Sequence, residues 1–427
     1  MRLLALAVLM IVPIGVQAAE RPNIIFILAD DLGIGDVGCY GADHFKTPNI
    51  NSLAKGGTRY TNAYTAALCG PSRAMILTGR YAFRTGATNQ DATGKMKPEK
   101  ETMTPKVLKS AGYVTSCVGK WGQLPLGPAE FGFDDYFKFS GSGKYWNTQT
   151  GAKNYTVNGK SVKLNDKEYL PDLMHNHVVN FITKYSEQPF YVYYSMSHIH
   201  GEILPTPDSA PNSKDHYADN ITYMDKLVGK LAAELEKPKL REKTLIVFFG
   251  DNGTAQGHAK DCTIGGKRLS GEKGSILEGG GLVPMIVNWP GVTPAGQVCK
   301  DMLDSSDFLP TFAALAGAKL PEKTIIDGKS FAPQIRGEKG EPRQWAFNQL
   351  ARMWYVRETG FKLNEKDELY DMSDAPFEEK LIAKDTTDAK AIAARTRLEA
   401  ALKQLNPTGG ILDDGDGTGR HANKKAK

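Results

Sequence analysis

Cysteine is scarce in this chain, with five in 427 residues. Cys39, Cys69, Cys117, Cys262 and Cys299 fall in no Cys/His spacing of the kind that holds zinc, so a structural zinc site is excluded. Their odd number points to an unpaired thiol, for which Cys69 is the candidate, while a bridge between Cys262 and Cys299 stays open. Long apolar runs are almost missing as well. The one at 3–16 follows Arg2 and is short for a bilayer span; with small residues up to Ala18 it reads as a signal peptide, 1–18. The mature chain is then exported, periplasmic or extracellular, with no stable membrane anchor. An excess of one charge is also lacking. Lys and Arg outnumber Asp and Glu by 53 to 48, and Arg420, Lys424, Lys425 and Lys427 supply four of that surplus, so nucleic acid is not an expected partner. Repeats and coiled-coil heptads are absent. What remains is a globular chain of enzyme size, 41% hydrophobic, large enough for one extensive core and a smaller unit.

Short apolar runs are present instead, and polar residues follow them. The stretch 23–29 (NIIFILA) has the continuous apolar character of a central parallel strand and leads into Asp30 and Asp31. The run 245–249 (LIVFF) leads into Gly250, Asp251 and Asn252. Runs 113–118 and 190–196 lead into Lys120 and into His198 and His200. In an open α/β sheet, ligands bind beyond the carboxyl ends of the strands, which predicts one rim for all four sets. Adjacent carboxylates repel unless a cation neutralises them, and three of them with an amide oxygen form an all-oxygen set suited to Ca²⁺ or Mg²⁺.

The stretch 68–80 (LCGPSRAMILTGR) carries the nucleophile candidate. Pro71 fits a first helical turn and Gly79 a left-handed stop, so Cys69 stands at a helix N-terminus, where an anion is favoured, with Arg73 on the same side. A helix is predicted over 219–235, capped by Asp219, and another over 307–316, stopped by Gly317. Between them, the Gly- and Lys-rich loop 265–281 offers Lys273 to an anion above the sheet rim, ahead of a strand at 283–289. A polar stretch at 337–342 marks a boundary. The expected organisation is a catalytic α/β domain over 19–338, with a large, mostly parallel sheet flanked by helices. A small C-terminal subdomain over 339–406 adds an antiparallel sheet (345–356, 360–363, 369–372) and a helix at 389–405. A disordered basic tail over 407–427 follows. Tyr145, Trp146 and Tyr155 are candidates for stacking on a sugar or aryl ring.

The pattern Cys69-x-Pro71-x-Arg73 with Thr78, Gly79 and Arg80 resembles the signature of the type I sulfatases, members of the alkaline phosphatase-like superfamily. ILADDLG, VGKWG, FFGDNG, GEKGSILEGG and ELYDM are similar to that family's other blocks, in the same order. The resemblance implies a formylglycine made from Cys69 by a formylglycine-generating enzyme, and Ca²⁺, with Mg²⁺ as the other choice, held by Asp30, Asp31, Cys69, Asp251 and Asn252. It implies Arg73, Lys120, His200 and Lys273 as catalytic groups around the sulfate, with His198 and Gln123 joining Lys120, His200 and Lys273 in substrate binding. The implied reaction is hydrolysis of an aryl or carbohydrate sulfate on a sulfated small molecule or glycan. The chain departs from the family at Gly122, where a His is usual; Gln123 is no general base near neutral pH, and His198 is the candidate substitute. Two alternatives stay open: a phosphonate or phosphate ester hydrolase of the same superfamily, and a catalytically impaired protein that binds sulfated glycans.

Overall fold

The computed structural model describes residues 21–415, so the signal peptide read at 1–18 lies outside the described residues. Its centre is a ten-stranded sheet. In spatial order the strands are Gln297–Asp304, Thr58–Tyr64, Met285–Asn288, Thr244–Gly250, Asn23–Ala29, Phe190–Ser195, Val114–Lys120, Asp135–Phe139, Asn154–Val157 and Lys160–Lys163. The five from Thr244–Gly250 to Asp135–Phe139 run parallel. Met285–Asn288 is antiparallel to both its neighbours, and the hairpin 154–163 closes the far edge.

The apolar run NIIFILA explains why this sheet is covered on both faces. Successive side chains of a strand point to opposite sides, and every residue of Asn23–Ala29 is buried. Ile25, Ile27 and Ala29 pack into a core shared with the helices Leu170–Lys184 and His216–Glu236. Ile24, Phe26 and Leu28 pack into the opposite core, with the helices Cys69–Thr78, Thr104–Ser110 and Phe308–Ala316. A strand buried twice over carries no polar alternation, which is why only its ends bear chemistry.

The helix predicted at 219–235 begins earlier, at His216, because Asp215 rather than Asp219 caps it, accepting from the Ala218 N–H at 3.0 Å. Its apolar face at Ile221, Met224, Leu227, Val228, Leu231 and Leu235 is buried. The run 345–356 is not one strand but a hairpin, Ala346–Leu350 with Met353–Arg357, turning at Ala351, whose φ is +56°. Phe361–Asn364, Leu369–Asp371 and Lys380–Leu381 complete a five-stranded antiparallel sheet, against which Ala389–Leu405 lays Ala391, Leu398 and Ala401. All five cysteines are free thiols.

The tail expected to be unfolded from 407 is folded over its described part. Pro407–Gly409 forms a short 3₁₀ turn, the Ile411 N–H donates to the Phe83 carbonyl at 2.7 Å, and Asp413 is buried. Its Gly/Asp-rich composition concealed this, because the anchor is a single carboxylate finding partners more than 300 residues away.

One buried group predicts a pH effect. His175, on the Leu170–Lys184 helix, has its pKa pushed down to about 4 by burial and secondarily by Lys230, with Glu234 pulling the other way. The unfolded chain takes up this proton near pH 6.5 and the folded one does not, so stability falls as pH drops from 6.5 to about 4. Denaturant titrations of His175→Leu across that window should show the variant gaining on the wild type by up to roughly 3 kcal/mol. A pH-independent difference would refute this.

Candidate active site

Four neighbouring parallel strands end on one rim, and each end carries reactive groups. Asp30 and Asp31 follow Asn23–Ala29; Asp251 and Asn252 follow Thr244–Gly250; Lys120 closes Val114–Lys120; His198 and His200 lie just past Phe190–Ser195. The Cys69–Thr78 helix delivers Cys69 and Arg73 from one side, and the loop after Asn252 delivers Lys273.

The resulting cluster sets three carboxylates against three cations. Arg73 is fully buried and donates from Nε and Nη2 to Asp251 Oδ2 at 3.1 and 2.7 Å. Its Nη1 donates to the Lys120 carbonyl at 3.0 Å and to Ser195 Oγ. Lys120 grips both Asp30 oxygens at 2.7 and 2.6 Å, and Lys273 donates to Asp31 Oδ1. His200 Nε2 is 3.9 Å from Asp31 Oδ2. The Asp31 N–H donates to Asp251 Oδ1 at 3.1 Å, which ties the two strand ends together.

Electrostatics follow from crowding and burial. Burial, reinforced by Asp251 and Asp31, pushes the Asp30 carboxyl up to about 8 against the pull of Lys120. Burial works the same way on Asp31, but the charge of Lys273, joined by Lys120 and the hydrogen bond from Lys273, outweighs it and brings that group down to about 2. Burial, aided by Lys120, drives His200 down to about 2, so its imidazole is neutral at ordinary pH. Burial lowers Lys273 too, yet Asp31 more than compensates and keeps its ammonium charged.

A hard cation fits these residues. Asp30, Cys69 and Asp251 offer ligand atoms within 4.8 Å of one another, and so do Asp30, Asp31 and His200. Asn252 donates its amide N–H groups to Asp31 Oδ1 and the Gly253 carbonyl, both at 2.9 Å, and its Oδ1 is buried with no hydrogen-bond partner. An orphaned amide oxygen beside crowded carboxylates is the donor set calcium takes.

Cys69 is the first residue of its helix, preceded by Leu68, whose side chain cannot cap. Gln90 Nε2 donates to its Sγ at 3.0 Å, and Gln123 Oε1 lies 4.0 Å from the same sulfur. His198 does not join the cluster, contrary to the expectation that it contacts substrate or replaces the missing imidazole. It is fully buried between Tyr145, Tyr169 and Tyr223, shares a 3.0 Å hydrogen bond with Tyr169 Oη, and has its pKa pushed by burial down to about 3. The strand end at 195 is followed by irregular backbone, so two residues of spacing turned one imidazole to the rim and the other inward. None of the aromatic candidates stands free of packing, although Trp146 and Tyr155 are only half-buried. Tyr145 is buried, its hydroxyl donating to the Ser197 and His200 carbonyls; Trp146 packs on Tyr169, and Tyr155 stacks on Phe137. Glu278 braces the loop that carries Lys273, accepting from Tyr64 Oη at 3.0 Å and from Arg357.

Gln90 and Ser195 are the groups that sequence reasoning missed. Ser195 closes a strand already singled out, a position that marks it in retrospect, whereas Gln90 sits in TGATNQDATG, which reads as turns and nothing more.

Comparisons with known proteins agree on one family. Residues 22–318 match the sulfatase family model, and 272–407 match the model for the C-terminal region of N-sulphoglucosamine sulphohydrolase. Human arylsulfatase A is 33% identical over 369 residues, covering 78% of this chain and 71% of that protein. Dog N-acetylgalactosamine-6-sulfatase is 31% identical, covering 75% and 67%. The crystal structure of Ps i-CgsB superposes with a TM-score of 0.78 at 29% identity, covering 90% of this chain and 93% of that one. The chain belongs to the sulfatase family and is a sulfuric ester hydrolase.

Proposed function

We propose that the chain hydrolyses the sulfate ester of a carbohydrate or aryl substrate, with the side chain at position 69, oxidised to formylglycine, as nucleophile and one Ca²⁺ bound by Asp30, Asp31, Asp251 and Asn252. The observation that carries this reading is the convergence of Cys69, Arg73, Lys120 and Lys273 on three buried carboxylates at a single sheet rim. The oxidised side chain supplies the attacking oxygen, and the ion, when bound, acidifies it. A cation among Asp30, Asp31 and Asp251 gives an otherwise balanced cluster a net positive charge, which suits a sulfate monoester.

This chain's own residues then have distinct tasks. Arg73 and Lys120, fixed by their buried partners, stand ready to stabilise negative charge on the transferring group without reorganising. Lys273, held charged by Asp31, carries the proton that the departing oxygen needs. His200, held neutral, serves as a hydrogen-bond partner and orients rather than protonates. A glycan is the favoured substrate type because Ps i-CgsB has been crystallised in complex with k-i-k-neocarrahexaose, at 29% identity to this chain. The 1–18 segment and export to the periplasm or beyond belong to the same reading, as does maturation by a formylglycine-generating enzyme; among the described residues no helix is long and apolar enough to cross a membrane.

The test is sulfate release from nitrophenyl sulfate and a panel of sulfated sugars, alongside the phosphate analogue and a Cys69→Ala variant. Mass spectrometry of the Cys69 peptide should find the aldehyde. Sulfate release should exceed phosphate release by at least about tenfold and vanish in Cys69→Ala, since no other group can form the new bond. Equal turnover by Cys69→Ala would refute the assignment.

A further inference from the structure

Gln90 does two things at once. Its Oε1 accepts the Gly70 N–H at 3.1 Å, satisfying from 20 residues downstream a helix-terminal donor that Leu68 cannot. With the oxygen so committed, its amide nitrogen faces Cys69, and Nε2 stands 3.0 Å from Sγ. The approach is close: a Cβ at Gly70 would come to 2.9 Å from Thr93 Oγ1 and 3.0 Å from Gln90 Oε1.

No strand or regular α-helix holds Gln90 in place. Its segment is pinned by hydrogen bonds instead. The Ala92 N–H donates to Asn89 Oδ1 at 2.7 Å, Thr93 Oγ1 donates to the Asn89 carbonyl at 2.8 Å, and the Ala351 N–H donates to the Thr88 carbonyl at 2.8 Å. The remaining anchor comes from the far end of the chain. Asp413 Oδ1 accepts from Thr88 Oγ1 at 2.8 Å and from Asn89 Nδ2, and the carboxylate is 5% exposed. Gln123 Oε1 lies 4.0 Å from the same sulfur, and the preceding Gly122 has φ +74°, where a Cβ would face Arg73 Cδ at 3.5 Å and Lys120 Cε at 3.7 Å. The nucleophile is thus flanked by amides, which orient a neighbour but take no proton.

We propose that Gln90 is a positioning residue for the side chain at 69, and that Asp413 is the brace that keeps Gln90 there, which makes the C-terminal segment part of the active site's construction. The catalytic consequence rests on the sulfatase reading of position 69; the positioning itself does not.

The experiment uses full-length protein with unconverted Cys69 for two readouts and converted enzyme for a third. In Gln90→Ala and Asp413→Ala, hydrogen exchange in the peptide spanning Gly70 should accelerate about tenfold and iodoacetamide should alkylate Cys69 several-fold faster, as expected for a lost hydrogen bond. In converted enzyme both variants should lose about tenfold in kcat with KM within about twofold, because the groups that grip sulfate are untouched. Asp413→Asn keeps an acceptor at Oδ1 and should stay near wild type, and Gln90→Ala with Asp413→Ala should be no worse than Gln90→Ala alone. Thr88→Val removes one of the two side-chain donors to Asp413 Oδ1 and should give a milder version of the same pattern should Asp413→Ala not fold. Wild-type exchange and alkylation in folded Asp413→Ala or Thr88→Val would overturn the brace, and in Gln90→Ala would overturn the positioning role. A protein that shows the exchange and alkylation changes but cleaves no sulfate ester would keep the positioning inference and lose the sulfatase reading.

Discussion

Arg73→Ala is expected to lower kcat for sulfate release by about 10² to 10³-fold, the usual cost of removing one preorganised donor from a dry site. The side chain is fully buried, spends Nε and Nη2 on Asp251, and is fixed by the Lys120 carbonyl and Ser195. Asp251 outweighs burial in holding it charged. The same substitution strips Asp251 of its partner, and an uncompensated buried carboxylate costs about 3 to 5 kcal/mol of stability. The two effects separate experimentally. Turnover measured well below the melting temperature reports the site, while denaturant unfolding reports the orphaned charge. Arg73→Ala combined with Asp251→Asn should recover part of the stability and none of the rate. Arg73→Lys should fall between, because an ammonium cannot reproduce a planar fork that reaches Asp251, Ser195 and the Lys120 carbonyl together. Full turnover by Arg73→Ala would show that the sulfate sits elsewhere.

Most of this architecture is legible in the sequence because central parallel strands leave a plain signal. NIIFILA and LIVFF have no polar alternation, so their burial on both faces follows, and Asp30, Asp31, Asp251 and Asn252 stand where such strands must end. Their spatial convergence needs only the fact that four neighbouring parallel strands share a rim. The His216–Glu236 helix was equally plain, apart from its first turn, since Asp215 and Asp219 are chemically equivalent caps and only geometry chooses between them.

What the sequence withheld depends on irregular backbone. Beyond Ser195 no periodicity remains to say which of His198 and His200 faces the rim, and the aromatic cage around His198 is assembled from Tyr145, Tyr169 and Tyr223, which are distant in the chain. Tyr145 and Trp146 looked free to stack on a ligand because their segment lacks core periodicity; Tyr145 instead braces the His200 carbonyl, and Trp146 packs on Tyr169. Gln90 and Asp413 were invisible for the same reason. Each lies in a turn-rich stretch, and their roles arise from contacts spanning 21 and 325 residues.

Adding Ca²⁺ to metal-stripped protein is expected to raise the melting temperature by several degrees, and chelation to suppress sulfate release by at least about a hundredfold. At a free ion concentration a hundred times the dissociation constant, linkage gives about 2.7 kcal/mol of stabilisation. The physical source is the burial of Asp30, Asp31 and Asp251 side by side, with burial first and the neighbouring carboxylates second in lifting Asp30 to about 8, together with the orphaned Asn252 Oδ1. Binding there satisfies a buried acceptor and relieves carboxylate repulsion in one step. Asp31→Asn is the sharper of two variants, because it removes one carboxylate and frees Lys273 while leaving the Arg73 to Asp251 pair intact. It should abolish the calcium-dependent rise without unfolding the protein. Asn252→Ala should weaken the ion about 10 to 100-fold by removing a neutral ligand, with less effect on charge. If both variants kept the full calcium-induced rise, the ion would have to bind away from this rim, and the nucleophile would lack the group that activates it.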